Sequence, residues 1–201
     1  MIAIIDYGAG NLHSVKNALD FLGAESIITD EPEKILAADK VILPGVGAFG
    51  DAMKELERKN LVKIIREIVA IDKPMLGICL GLQLLFEESE ETPGVKGIGI
   101  LKGKIVKIPP KDGIKIPHMG WNSLEICKKS RILKDLDDEP YVYFVHSYYA
   151  KAENPDDVSA YTEYSEKLAI AVEKDNIFAT QFHPEKSGDL GLKILQNFIE
   201  L

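Results

Sequence analysis

The sequence has few cysteines and no long apolar run. Only Cys79 and Cys127 occur among its 201 residues, so we expect no disulfide framework and a reducing, cytoplasmic environment. No apolar stretch reaches the roughly 20 residues that a transmembrane helix needs, and we expect no membrane partner. Residues 1–6 form a short apolar pattern that ends in an acid. They lack the basic region and long apolar core of a signal peptide.

Positive charge is also scarce. The chain carries 24 lysines and arginines against 32 aspartates and glutamates, for a formal net charge of -8. This acidic balance argues against nucleic acid or an anionic membrane as the main partner. His13 and His118 lack the spacing of metal ligands. The turn over residues 7–11 lacks the third glycine and the distal acid of a dinucleotide-binding turn. We therefore expect neither a metal nor a cofactor.

No segment has the composition of a linker, a repeat or a low-complexity tract, and we expect a single α/β domain over residues 1–201. In the first half, strand patterns at 2–5, 26–29, 40–43 and 74–78 alternate with helix patterns at 11–22, 51–57 and 61–71. This alternation predicts a central, mostly parallel sheet with helices on both faces. The second half has strand patterns at 103–108, 123–126, 141–145, 158–164, 169–173 and 178–182, then a helix pattern at 190–199. We expect these strands to form an antiparallel or mixed extension of the sheet.

The most informative segment is 73–86, in which an apolar run ends in Gly77-Ile-Cys-Leu-Gly81 and a helix-like run follows. This is the pattern of a nucleophile elbow, with Cys79 in the place of the usual serine. The flanking glycines would allow a sharp bend. The bend would place the sulfur at a strand end and a helix N-terminus, where the helix dipole favours a thiolate. The alternative, an inert buried cysteine, leaves the flanking glycines without a use.

A thiolate nucleophile needs a base, and His183 has the most suitable context. It follows a strand pattern, and Glu185 stands two residues later, with Pro184 fixing the backbone between them. We predict Cys79 as nucleophile, His183 as general base and acid, and Glu185 as its orienting partner. The alternative is that His183 and Glu185 form a surface pair that satisfies its own hydrogen bonds and has no catalytic role.

Acyl transfer also needs donors for an oxyanion. One should be the backbone N–H of Leu80, at the start of the elbow helix. The other should come from the Val46 and Gly47 region of the turn Pro44-Gly-Val-Gly47. Because this turn holds two glycines, its peptide could turn an N–H into the site or away from it, which would act as a switch.

These motifs resemble the triad, or class I, glutamine amidotransferases. Within that family, five further segments resemble the glutaminase subunits of imidazole glycerol phosphate synthases. They are Asp6-Tyr-Gly-Ala-Gly-Asn11, Gly47-Ala-Phe-Gly-Asp51, Leu84-Leu-Phe-Glu-Glu-Ser-Glu-Glu91, Pro117-His-Met-Gly-Trp-Asn122 and Tyr143-Phe-Val-His-Ser-Tyr148. The resemblance spans almost the whole chain. It departs in a minor way at Leu82, where the family often has methionine, which is a volume-conserving exchange.

The resemblance implies a concrete activity. Cys79 would cleave the carboxamide of L-glutamine, and the ammonia would pass to a (β/α)₈-barrel synthase subunit in a heterodimer. That partner would make imidazole glycerol phosphate and aminoimidazole carboxamide ribotide in histidine biosynthesis. The implied glutamine contacts are Gly45, Gln83, Glu91, Ser147 and Tyr148. The implied interface residues are Asn11, Trp121, Asn122, Tyr143 and Lys186.

Three other functions stay open at this point. The chain could serve another ammonia-channelling synthase, since the triad alone does not separate these enzymes. It could be a stand-alone cysteine hydrolase of γ-glutamyl or peptide bonds, which would need no partner. It could also be a non-catalytic subunit that has kept the fold, although such a protein would be expected to have lost Cys79, His183 or Glu185.

Overall fold

A computed structural model describes residues 1–136 and 139–201. The first half folds as the alternation predicts. The elements are β1 (Ile2–Ile5), α1 (Leu12–Phe21), β2 (Ser26–Thr29), α2 (Pro32–Ala37), β3 (Lys40–Gly45), α3 (Phe49–Arg58), α4 (Leu61–Ala70), β4 (Met75–Cys79) and α5 (Leu80–Leu84). The strands pair in the parallel order β2-β1-β3-β4.

The second half is rich in strands. Its elements are β5 (Glu88–Ser89), β6 (Gly103–Lys107), β7 (His118–Ser123), β8 (Glu125–Ile126), β9 (Tyr141–His146), β10 (Tyr148–Ala152), β11 (Val158–Glu163), β12 (Lys167–Lys174), β13 (Ile177–Thr180) and α6 (Gly188–Ile199). β13 joins the central sheet parallel to β4. β12, β10 and β6 extend that sheet through antiparallel pairs. The expected α/β fold, with a mostly parallel sheet and an antiparallel extension, is confirmed.

Strand β1 shows how the core is divided between the two faces of the sheet. Ala3 and Ile5 belong to one buried cluster, and Ile2 and Ile4 belong to the other. Successive side chains of a strand point to opposite faces, so a strand that is apolar throughout must be covered on both sides. Helices supply the cover. In α4 the buried positions Leu61, Ile64, Ile65 and Ile68 recur at helical spacing and form one apolar stripe.

The sequence patterns do not predict three strands of the second half, which are β5, β7 and β10. β7 pairs with β9 in a separate antiparallel ribbon, in a register that sets His118 opposite His146. β10 begins only one residue after β9 ends. The strand predicted at 123–126 is divided between the end of β7 and the short β8. In the described ranges, no helix has the length and apolar character to cross a membrane.

Candidate active site

Cys79 ends the central strand β4 in a strained backbone conformation. Its φ is 55° and its ψ is -108°, a combination that non-glycine residues rarely adopt and that costs on the order of 1–3 kcal/mol. Helix α5 begins at the next residue. The N–H of Leu80 is therefore in the first turn, where it has no partner within the helix. The chain forms the sharp strand-to-helix turn that the Gly-Ile-Cys-Leu-Gly pattern predicts.

The second glycine of the elbow, Gly81, is required because strand β3 lies too close to it for any side chain. A Cβ at this position would lie 1.8 Å from the carbonyl oxygen of Leu43 in β3. A Cβ at Gly77 would lie 3.0 Å from the backbone of Gly81. The sequence pattern predicts that both glycines serve the bend itself. The structure adds that one of them lets helix α5 approach the backbone of β3.

His183 is brought to the elbow by β13, which pairs with β4 in a register that sets Thr180 beside Ile78. Its Nδ1 lies 2.7 Å from Oε1 of Glu185, and both side chains are buried. Its Nε2 has no hydrogen-bond partner among the described residues. The carboxylate thus occupies one ring nitrogen and leaves the other available, as the triad hypothesis requires.

The loop that carries His183 is tied to strand β9 at two points. The backbone N–H of His183 donates to the carbonyl of Tyr143 over 3.1 Å. The hydroxyl of Ser187 donates to the His183 carbonyl over 2.6 Å and accepts the N–H of Tyr143 over 3.0 Å. These bonds hold the imidazole in place independently of any substrate.

The charges around His183 favour its protonated form. Burial by itself lowers the pKa of His183, but interactions with Cys79 and Glu185 outweigh burial, and the net pKa lies above the usual value. A thiolate at Cys79 and an imidazolium at His183 would stabilise each other in this buried setting. Such a pair is the activated state of a cysteine nucleophile.

A cavity of about 410 Å³ opens above the elbow and unites most of the predicted site residues. Its wall includes Cys79, Leu80, His183, Val46, Gly47, Gln83, Glu91, Ser147 and Tyr148, together with Pro117, Val145 and His146. Glu185 and Gly45 are adjacent to lining residues but do not line the cavity themselves. Gly45 pairs with Cys79 in the parallel ladder of β3 and β4, so the turn after β3 lies next to the sulfur.

Two of the predicted glutamine contacts also make structural bonds. Oε2 of Glu91 accepts the N–H of Phe49 over 2.7 Å, at the start of α3. Nε2 of Gln83 donates to the carbonyl of Tyr148 over 3.2 Å and to Oε1 of Gln181 over 3.1 Å. Nε2 of Gln181 in turn lies 3.6 Å from the Cys79 sulfur. The sequence patterns predict no role for Gln181, although it stands two residues before His183.

The five predicted interface residues lie in different surroundings. Trp121 is 56% exposed and meets Tyr143 edge-on, with ring centroids 6.2 Å apart. Lys186 is exposed next to the His183 loop, and Asn11 is half-buried at the start of α1. Asn122 is half-buried, and its amide donates to the carbonyl of Glu163 over 2.8 Å. A role for these residues in binding a partner stays a prediction.

No group of three His, Cys, Asp or Glu side chains within residues 1–136 and 139–201 has the geometry to hold a metal ion. The chemistry of the cavity can instead be built from its protein groups. A strained cysteine, a histidine–carboxylate pair and adjacent backbone donors define a class of α/β proteins that carry out acyl transfer through a cysteine.

Comparison with known proteins narrows the class. The family model for class-I glutamine amidotransferases matches residues 3–201. The chain belongs to this family, and the predicted family is confirmed. Relatives named imidazole glycerol phosphate synthase subunit HisH include one from Methanothermobacter thermautotrophicus, which is 53% identical, with 100% of this chain and 98% of the relative covered. Another, from Methanocaldococcus jannaschii, is 51% identical, with both chains fully covered. A third, from Chlorobaculum tepidum, is 47% identical, again with both chains fully covered.

Solved structures agree on the fold. A structure of PurLQS from Thermotoga maritima matches with a TM-score of 0.77 at 20% identity, covering 99% of this chain and 97% of that one. A structure titled glutamine amidotransferase matches with a TM-score of 0.77 at 19% identity, covering 100% of this chain and 98% of that one. At such identities the likeness concerns the fold alone.

Proposed function

We propose that this chain is the glutaminase subunit of an imidazole glycerol phosphate synthase. It hydrolyses L-glutamine to glutamate and passes the ammonia to a (β/α)₈-barrel synthase subunit, with which it forms a heterodimer in the cytoplasm. The partner uses the ammonia to make imidazole glycerol phosphate and aminoimidazole carboxamide ribotide. Full-length relatives about half identical to this chain carry the name of that subunit, which supports this choice over other amidotransferases.

The observation that carries the enzymatic part is the arrangement around the 410 Å³ cavity. The Cys79 sulfur attacks the side-chain carbonyl carbon of glutamine, and the carbonyl oxygen becomes an oxyanion. The C–N bond then breaks, His183 gives its proton to the leaving nitrogen, and ammonia departs. A thioester between Cys79 and the glutamyl group remains. Water, deprotonated by His183, hydrolyses this thioester to glutamate and returns the sulfur to its starting state.

Glu185 supports both halves of this cycle by holding Nδ1 of His183 at 2.7 Å. Because Nδ1 is occupied, Nε2 is the nitrogen that exchanges protons with the sulfur, the leaving amine and the water. The N–H groups of Leu80 and of the Val46–Gly47 turn are assigned to the oxyanion. Gln83, Glu91 and the backbone at Ser147 and Tyr148, which line the cavity, are assigned to the bound glutamine. Gly45 supports that wall from behind.

The Val46–Gly47 peptide is assigned a regulatory role. Gly47 has φ of +104°, with no heavy atom within 4 Å of the position that a Cβ would occupy. Val46 is 41% exposed. A peptide in open space can rotate, and removal of one oxyanion donor typically lowers the rate by about 10²–10³. We assign the observed conformation of this turn to the resting, inactive state. Binding of the liganded partner would then rotate the peptide and turn its N–H into the site.

Coupling to the partner has a chemical reason. Ammonia in neutral water is mostly ammonium, which is not nucleophilic, so a shielded transfer keeps it reactive. The face of the chain that carries Trp121, Tyr143 and Lys186 is assigned to the barrel subunit, with Asn11 and Asn122 at its margins. Hydrolysis without a loaded partner would waste glutamine, and a turn that rests in the inactive arrangement prevents this.

The test is a glutaminase assay on the wild-type chain and on two matched variants, C79A and C127A. Each chain is assayed alone, with the barrel subunit, and with the barrel subunit and its ligand. We expect strong turnover only with the liganded partner, a loss of at least about 10⁴-fold in C79A, and full activity in C127A. Cys127 is exposed and lies outside the site, so it controls for general effects of removing a thiol.

The outcomes separate the parts of the proposal. Turnover that survives in C79A would refute the covalent mechanism. Equal rates with and without the liganded partner would refute the regulatory role of the turn while leaving glutamine hydrolysis in place. If the wild-type chain failed to turn over glutamine under all three conditions, the assignment as a glutaminase would be refuted.

A further inference from the structure

Two buried histidines outside the proposed triad form a hydrogen-bonded pair beside the cavity. Nδ1 of His118, in β7, lies 3.0 Å from Nε2 of His146, in β9. Nδ1 of His146 lies 2.9 Å from the carbonyl oxygen of Tyr148. The same carbonyl accepts the amide of Gln83 over 3.2 Å. The pair therefore ends on the backbone that lines the cavity.

The partners determine where the protons lie. A carbonyl only accepts hydrogen bonds, so Nδ1 of His146 must carry a hydrogen, and in a neutral ring its Nε2 is then an acceptor. His118 must donate from Nδ1, which leaves its Nε2 to accept the Asn122 amide at 3.4 Å. Burial lowers the pKa of His118 to about 4 and that of His146 to about 3, so both rings are neutral near pH 7. The bonds thus run in one direction, from Asn122 to Tyr148.

The pair is held in place from both sides. The His118 ring is stacked between Phe144, at 4.5 Å, and Tyr164, at 3.9 Å. The register of β7 and β9 places His118 directly opposite His146. On the other face of β7, Met119 and Trp121 are 62% and 56% exposed. One strand therefore carries an open surface on one face and the first histidine of the pair on the other.

We propose that His118 and His146 are positioning residues that fix the Tyr148 carbonyl, and with it the backbone segment Ser147–Tyr148 that grips glutamine. This inference rests on the proposed function, because it concerns how that site holds its substrate. A carbonyl held by both His146 and Gln83 cannot rotate without breaking one of the two bonds. Among the described residues, neither histidine is hydrogen-bonded to Cys79, His183 or Glu185, so we expect the pair to act on glutamine affinity rather than on the chemical step.

Two substitutions at position 146 each remove a different one of the two hydrogen bonds of the His146 ring. In H146N, the side-chain amide can take the place of Nδ1 and donate to Tyr148, but it does not reach His118. In H146Q, the longer amide can take the place of Nε2 and accept from His118, but the Tyr148 carbonyl loses the donor at position 146 and keeps only Gln83. Each variant keeps one buried hydrogen bond and loses one. A role in stability alone therefore predicts similar behaviour for the two.

The experiment measures kcat and KM for L-glutamine in the complex with the liganded barrel subunit. We expect KM to be about 3- to 10-fold higher in H146Q than in H146N, which corresponds to the loss of one hydrogen bond. We expect kcat values within about twofold of each other. Alkylation of Cys79 by iodoacetamide, in a C127S background, should proceed at the same rate in both variants because the sulfur is not affected.

Equal KM values in H146N and H146Q would overturn the inference, as would a difference confined to kcat. Slower alkylation of Cys79 in H146Q than in H146N would also overturn it, since the histidine would then support the elbow rather than the glutamine-binding backbone. Failure of the wild-type complex to turn over glutamine would refute the proposed function and this inference with it. Normal turnover by the wild-type complex, together with equal KM values in H146N and H146Q, would refute this inference and leave the proposed function in place.

Discussion

Substitution of Gly47 by alanine tests the proposed resting state of the Val46–Gly47 turn. Rotation of the Val46–Gly47 peptide by half a turn takes φ of residue 47 from +104° to about -76°, which is a conformation that alanine adopts readily. The observed positive φ is unfavourable for alanine by about 1–2 kcal/mol. A Cβ at this position meets no atom within 4 Å, so the effect comes from the backbone alone.

In G47A, the rotated peptide should therefore gain population by about 5- to 30-fold relative to wild type. If rotation turns the donor into the site, glutaminase activity of the free chain should rise by the same factor. Activity with the liganded partner should change little, because in the proposed mechanism the partner already selects the rotated form. The assay is initial-rate glutamine hydrolysis by the free chain and by the complex.

The matched control is G23A. Gly23 also has a positive φ, +73°, with no atom within 4 Å of its Cβ position, and it lies in the turn before β2, at the opposite edge of the sheet from the cavity. Its alanine variant should lose stability, with Tm lower by about 2–8 °C, and keep its activity. A free G47A chain less active than wild type would refute the reasoning, because the observed turn would then be the competent one.

Two further predictions concern buried groups. The Tyr7 hydroxyl is buried without a partner among the described residues, so Y7F should unfold at an equal or higher temperature than wild type. By contrast, Y149F, which loses a hydrogen bond to Glu166, should unfold at a lower one. A marked loss of stability in Y7F would contradict this. Because burial lowers the pKa values of His118 and His146, the unfolded chain binds their protons first as pH falls. Stability in urea should therefore fall below pH 6.5, by up to about 1.4 kcal/mol per pH unit for each histidine. In H118F, stability should fall less steeply between pH 6.5 and 5. An unchanged slope would contradict the attribution of this fall to the buried His118. His183, whose pKa is raised, titrates above this window.

The sequence was most informative where structure depends on neighbours in the chain. The elbow at Cys79, the pairing of His183 with Glu185 and the alternation of strands and helices are all local patterns. Parallel strands then bring their carboxyl ends to one edge, which is why motifs more than a hundred residues apart could be placed in one cavity. The structure places them there through the registers of β3, β4 and β13.

The second half was harder to predict because, in β7, polar and apolar residues do not follow the usual rule that apolar side chains are buried and polar ones exposed. In β7 the large apolar residues Met119 and Trp121 point to solvent, while His118 is buried between aromatic rings. A hydropathy pattern therefore does not identify this strand. The His118–His146 pair joins residues that meet only through strand register. Gln181 likewise follows the end of β13 and contacts Gln83 in α5 and Cys79 at the end of β4, which are distant from it in sequence.

The neighbouring strands β3 and β4 hold Cys79, the proposed nucleophile, beside a short segment that we propose to be adjustable. β4 is paired with β13 as far as Ile78 and with β3 as far as Cys79, so the position of Cys79 is set by the sheet. The turn after β3 has only residues 46–48 between the ladder, which ends at Gly45, and helix α3. The first N–H groups of that helix are held by Glu91 and Thr92. The proposed control by a partner is therefore simplest through these three residues, because moving the sulfur would require breaking the central sheet. Because Glu91 both lines the cavity and anchors the end of this turn, a bound glutamine that contacts Glu91 would act on the same segment as the partner.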